Sequence, residues 1–189
     1  MCLVDKKIIQ FSNYAGMFSA CVSIGLAILS DGYAISALAI GLFYGLLFAN
    51  AVVDAYTHTL IVWVTNAALV AAIAYGLCIY GLGWSWWQQV AQSLVLVCVP
   101  LGLASVISGG RYVGIGDVRL LAAMCFFHGR EAVACFVVAT ICAGAISLIG
   151  LVFRRLHFDS SLPFGPFLVG ASWSVWASMS SLFLAQSVI

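Results

Sequence analysis

Residues 34–60 read AISALAIGLFYGLLFANAVVDAYTHTL, and the fold follows from that stretch. The run 34–53 carries no charged side chain and is as long as the ~20 apolar residues a helix needs to cross a bilayer. It ends on Asp54, in the polar patch Asp54-Ala55-Tyr56-Thr57-His58-Thr59. The rest of the chain repeats this pattern. Of its 189 residues 65% are hydrophobic and only 7% are charged, and the mean hydropathy is +1.16. A soluble domain has about a quarter of its residues charged, and one of this size leaves much of its surface in water. The composition therefore predicts an integral membrane protein of the all-α class, a single polytopic transmembrane bundle over 1–189.

Apolar runs near 11–30, 34–53, 60–82, 87–107, 117–129, 132–153 and 165–187 predict about seven helices. The connections include Asp54 to Thr59 and a tryptophan-rich link from Gly83 to Trp87. Trp84, Trp86 and Trp87 in that link suit an interfacial belt, where an apolar ring with a polar N–H sits at the headgroups. The first apolar run leads straight into the second, so it is expected to stay as a helix rather than be cleaved as a signal peptide. Lys6, Lys7, Arg111, Arg119, Arg154 and Arg155 fall on one face under this count, and only Arg130 falls on the other. Basic residues favour the cytoplasmic side, which predicts a cytoplasmic N-terminus in a multi-pass inner-membrane protein.

The same arithmetic excludes other classes. A net charge of +1 without a basic run gives no footing for nucleic acid. The cysteines form no C-x-x-C pair and read as small buried hydrophobes, and the histidines are scattered, so no metal site or cofactor is expected. The lipid bilayer is the one partner the composition requires.

Acids at membrane depth are costly and usually functional. Asp5, Asp31 and Asp159 lie in terminal or loop sequence, and Glu131 follows Arg130 at a helix boundary, where water solvates them. Asp54 and Asp117 remain. Asp117 opens a helix in Gly114-Ile115-Gly116-Asp117, and two crossings separate it from Asp54, so both are expected at the cytoplasmic boundary. Each also admits a plain reading: Asp117 as a first-turn acid satisfying free N–H groups, Asp54 as a hydrated loop residue. Held close, two carboxylates share a proton. The ionised one can activate a water against a peptide carbonyl while the protonated one polarises the carbonyl oxygen.

Three blocks, taken in order, resemble the type IV prepilin peptidases, intramembrane aspartic proteases of the G-x-G-D kind. They are Asp54 to Leu60, Gly114 to Leu120, and Leu162-Pro163-Phe164-Gly165-Pro166-Phe167-Leu168, and the likeness extends over 34–189. The resemblance implies that Asp54 and Asp117 are the catalytic pair, supported by Gly114, Gly116, Pro163, Phe164, Gly165 and Pro166. It implies removal of the leader peptide of prepilins or pseudopilins at the cytoplasmic face, without metal. Larger members carry a methyltransferase domain with two C-x-x-C pairs, so the chain looks like a short, peptidase-only form. Two departures stand out: Arg119 replaces the more usual Lys, and Ile61-Val62 replaces a Pro followed by a polar residue. His58 is read as an interfacial anchor and Arg119 as a positive-inside anchor. A proton-coupled transporter or a non-catalytic subunit of a pilus or secretion apparatus would share the composition. The transporter reading lacks visible repeated halves.

Overall fold

The computed structural model describes residues 6–31, 34–110, 114–153 and 163–187. Expectations resting on Cys2, Asp5, Arg111, Arg154, Arg155 and Asp159 lie outside them. The described residues form helices and short connections, with no strand among them. The helices are α1 (Lys6–Asp31), α2 (Ala34–Thr57), α3 (Val62–Tyr80), α4 (Trp84–Ile107), α5 (Ile115–His128), α6 (Ala132–Val152) and α7 (Gly165–Ser187). Five stretches among the described residues are long and apolar enough to cross a membrane, and one of these runs from α5 through α6. The chain is a polytopic helical bundle.

α1 begins at Lys6 rather than near 11, because the helix continues past the apolar run into residues that form helix well. It lies antiparallel along α2 at close range. A Cβ on Gly16 would stand 2.7 Å from the Gly45 carbonyl oxygen, so the backbones nearly touch, as small residues allow between membrane helices. Ser12 Oγ donates to the Ala49 carbonyl at 2.7 Å across the same seam.

α4 begins at Trp84, so the tryptophans expected in a connection occupy its first turn. Trp84 is exposed as a belt residue would be, whereas Trp86 is buried against α3 where Gly76 leaves its space. α4 widens into a π turn over Leu94–Cys98, just before Pro100. Proline has no N–H, and its ring crowds the carbonyl one turn earlier, which a wide turn relieves. The thiols Cys98 and Cys125, on α4 and α5, lie 3.8 Å apart in the interior. Cys21, Cys78 and Cys142 point outward, so the expectation of buried cysteines holds for only part of the set.

α5 and α6 form a hairpin. Gly129, at φ 58°, ends α5 in a left-handed conformation that suits a glycine, and one 3₁₀ turn leads into α6. The core gathers around α2: Phe43 stacks on Phe127 at 4.1 Å, and Tyr44, Leu47, Leu120, Met124 and Leu168 are fully buried beside them.

Candidate active site

Asp54 lies in the last turn of α2, not in a connection. The helix runs on to Thr57 and stops where His58 turns to φ 52° while its N–H bonds the Asp54 carbonyl at 2.8 Å. The side chain of Asp54 is 5% exposed, which removes the hydrated-loop reading. The apolar count misplaced it because that count measures hydrocarbon thickness, whereas the helix ends where its hydrogen bonds end.

Asp117 occupies the first turn of α5. Gly114 precedes that helix in an extended conformation and provides no side-chain cap. The Asp117 N–H bonds the Gly114 carbonyl at 3.1 Å, and its carboxylate folds back onto the Gly114 backbone. A Cβ on Gly114 would stand 3.3 Å from Asp117 Oδ2. Gly116 packs against Leu60, whose Cδ1 would lie 3.2 Å from a Cβ there, and this seats the start of α5 against the turn that leaves α2.

The Asp117 carboxyl lies near enough to Asp54 to feel its charge. The third block completes the group. Pro163 and Phe164 are non-helical, and Gly165 starts α7 with Pro166 in its first turn, where a missing N–H costs nothing. The Gly165 N–H donates to Asp54 Oδ2 at 3.0 Å. A Cβ on Gly165 would stand only 2.6 Å from that oxygen, so the glycine is what lets the amide come so near. Phe164 contributes its carbonyl to the Leu168 N–H at 3.1 Å and its ring to the wall beside Asp117. The Gly165 N–H and the Phe164 carbonyl are therefore engaged inside the protein.

Beside Asp117 a cavity of about 410 Å³ opens between α5 and α6, lined by Leu121, Phe136, Thr140, Gly144, Ser147 and Phe164 among others. His58 lies close enough to Asp54 for their charges to interact. Arg119 is exposed at the same end of the bundle.

Sequence reasoning overlooked two polar clusters. Asn50, 1% exposed on α2, donates from Nδ2 to Thr65 Oγ1 at 2.7 Å and accepts the Ile61 N–H at 2.9 Å. It thus ties the start of α3 to the helix that carries Asp54. Deeper in the bundle, Tyr44 Oη donates to the Ser172 carbonyl at 3.1 Å, and His128 Nε2 sits 2.9 Å from Ser172 Oγ and 3.3 Å from Tyr44 Oη. The available signal was the polar residue itself: buried Asn, Thr and Ser in apolar helices must find partners.

No protein-family profile matches the chain, and no solved structure matches it. Curated relatives do. Over 80 residues it is 38% identical to prepilin leader peptidase/N-methyltransferases of two Burkholderia pseudomallei strains, covering 42% of this chain and 26% of theirs. Over 69 residues it is 38% identical to the protein of that name from Aeromonas salmonicida and 36% identical to that from Aeromonas hydrophila, covering 36% of this chain and 24% of each. The match spans about a quarter of the length of these relatives. Over the matched part, the chain is by sequence a relative of the prepilin leader peptidases.

Proposed function

We propose that the protein is an aspartic endopeptidase that removes leader peptides from prepilins or pseudopilins, with Asp54 and Asp117 as its catalytic pair. The observation that carries this reading is a pair of glycine-flanked carboxylates at one end of the bundle, Asp54 beside Gly165 at the start of α7 and Asp117 beside Gly114 at the start of α5. Asp54 is held by the Gly165 amide at 3.0 Å, and Asp117 lies within range of its charge. The names of the curated relatives point the same way.

In the proposed reaction the ionised carboxylate takes a proton from a water placed between the pair, and the water oxygen bonds to the scissile carbonyl carbon. The protonated partner gives its proton to the developing oxyanion. Collapse of the tetrahedral intermediate breaks the C–N bond, and the amine leaves with a proton returned through the pair. Asp54, buried and pinned by an amide, is the fixed member. Asp117 borders the cavity between α5 and α6, which gives an extended peptide room to approach. A peptide within a helix hides its carbonyls, so the leader must be unwound at this end of the bundle. The proposed location is the inner membrane with the aspartates on the cytoplasmic side: Lys6, Lys7 and Arg119 share their end of the bundle, and Arg130 stands at the other.

The test is cleavage of a prepilin by purified protein reconstituted in lipid. Asp54→Asn and Asp117→Asn keep the shape but lose the base or the transferable proton, and each should abolish cleavage. Substantial cleavage by well-folded Asp117→Asn protein would sink the mechanism.

A further inference from the structure

At the end of the bundle away from the aspartates, Arg130 and Glu131 stand together in the turn between α5 and α6. Their position has no internal explanation. Glu131 sits at the N-cap of α6 but makes no capping hydrogen bond with its side chain. Among the described residues no basic group forms an ion pair with it, and it is half-buried. Arg130 is exposed and is the one basic residue that the charge bias leaves on this side.

Two cavities meet at this turn. One is an apolar trough of about 1300 Å³ between α4 and α6, walled by Val95, Leu96, Val99, Leu103, Val133 and Val137. Arg130 and Glu131 are its only charged lining, and they stand at the end where α6 begins. The other, about 620 Å³, is lined by Tyr75, Tyr80, Trp86 and Trp176 with Glu131, and it contains no Lys or Arg. Glu131 borders both.

The length of the trough identifies its occupant. Its α4 wall runs from Ala91 to Leu103, roughly 18 Å at 1.5 Å per residue. Half of a ~30 Å hydrocarbon core is about 15 Å, so the trough, which runs inward from the Arg130 turn to the depth of Leu103, is long enough to hold an acyl chain whose headgroup sits at that turn. The charges identify the headgroup. A phosphate suits Arg130 and the N-terminus of α6, while an ammonium suits Glu131 and the aromatic faces beyond it. A zwitterion satisfies both residues, and an anionic lipid leaves Glu131 opposed to it.

We propose that this face holds one zwitterionic phospholipid with an amine-bearing headgroup, taken from the leaflet opposite the aspartates. Its chain fills the α4–α6 trough, its phosphate meets Arg130, and its ammonium meets Glu131 at the mouth of the aromatic cavity.

The experiment is native mass spectrometry of the full chain released from nanodiscs of phosphatidylglycerol and phosphatidylethanolamine in equal parts. Wild type should retain phosphatidylethanolamine over phosphatidylglycerol by about tenfold, the ratio that ~1.4 kcal/mol gives. Glu131→Gln should bring the ratio near unity, and Arg130→Gln should lower retention of both. Val137→Trp, which fills the trough and leaves both charges, should displace both lipids and so reads the site even if Glu131→Gln folds poorly. Water-soluble glycerophosphoethanolamine, the same headgroup without chains, should be retained far more weakly. Equal retention of the two lipids by wild type, or an unchanged ratio in folded Glu131→Gln protein, overturns the proposal. Retention of the soluble headgroup as strong as that of the lipid overturns the membrane source.

Discussion

Gly165→Ala tests the site with a single methyl group. Gly165 has no left-handed backbone, so alanine is tolerated by its dihedrals and the perturbation is steric alone. The new Cβ would stand 2.6 Å from Asp54 Oδ2 and 3.2 Å from its Cγ, where ordinary contact begins at 3.4 Å. The carboxylate must therefore withdraw by about 0.8 Å, taking the 3.0 Å hydrogen bond from the Gly165 amide beyond bonding range. A misplacement near ~1 Å at a reacting group costs on the order of 10²-fold in rate. Stability changes less. Loss of a hydrogen bond to a charged acceptor costs about 1.5–3 kcal/mol, and exchange of a helical glycine for alanine returns about 0.5–1 kcal/mol. Single-turnover cleavage of a prepilin, per folded molecule of reconstituted protein, should thus fall about 10²-fold, with a melting temperature lowered by the several degrees that a net loss of about 0.5–2.5 kcal/mol gives. Cleavage within twofold of wild type would show that the Gly165 amide does not position Asp54. A fall matched by loss of folded protein would reduce the block to a helix start.

The aspartates should behave as one unit: the double Asn variant should be no worse than either single, since effects within a catalytic group are not additive, and independent losses that multiply would contradict this. The wild-type pH–rate profile should follow two apparent pKa values that belong to the pair, and a profile governed by a single ionisation would contradict the shared proton. Asn50→Leu leaves the Ile61 N–H without its acceptor and should lower stability by about 1–3 kcal/mol in detergent melts, more than it lowers cleavage per folded molecule. Reporter fusions after Thr59 and after Leu82 should report opposite sides of the membrane, and the same side for both would undo the proposed orientation.

The fold was readable because bilayer thickness writes helix length directly into the sequence, and the Gly114–Asp117 block was readable because its glycines and its acid are local. What escaped depends on contacts across the chain. Nothing near Asp54 says that α2 continues past it: His58 closes the helix with a positive φ and no glycine. The tryptophans match an interfacial belt by composition, but Trp86 turns inward because Gly76, ten residues earlier on another helix, vacates the space. The π turn in α4 follows from Pro100, a signal present in the sequence that an apolar count passes over. Tyr44 and Ser172 are 128 positions apart, and no local pattern joins them.

That distant cluster bears on the geometry of the aspartates. Tyr44 and Asp54 both lie on α2, His128 and Asp117 on α5, and Ser172 and Gly165 on α7. At 1.5 Å per residue the paired positions are separated by roughly 15, 16 and 10 Å along their helices. The same three helices therefore meet twice, once through the Tyr44–His128–Ser172 hydrogen bonds and once through the Asp54–Gly165 amide beside Asp117. One meeting point would leave each helix free to pivot or to turn about its axis. Two points, about three helical turns apart on α2 and α5, fix tilt and rotation together. Helices between such points act as rods, so these hydroxyls and the imidazole hold in register the carboxylates they never touch. A hydrogen-bonded cluster supplies what apolar packing in lipid lacks, since hydrocarbon side chains gain little by leaving one another for acyl chains and discriminate poorly between neighbouring rotations. The cost of burying Tyr44 and Ser172 is met when they and the partly buried His128 find one another, and that condition favours the helix arrangement in which Asp54 reaches Gly165.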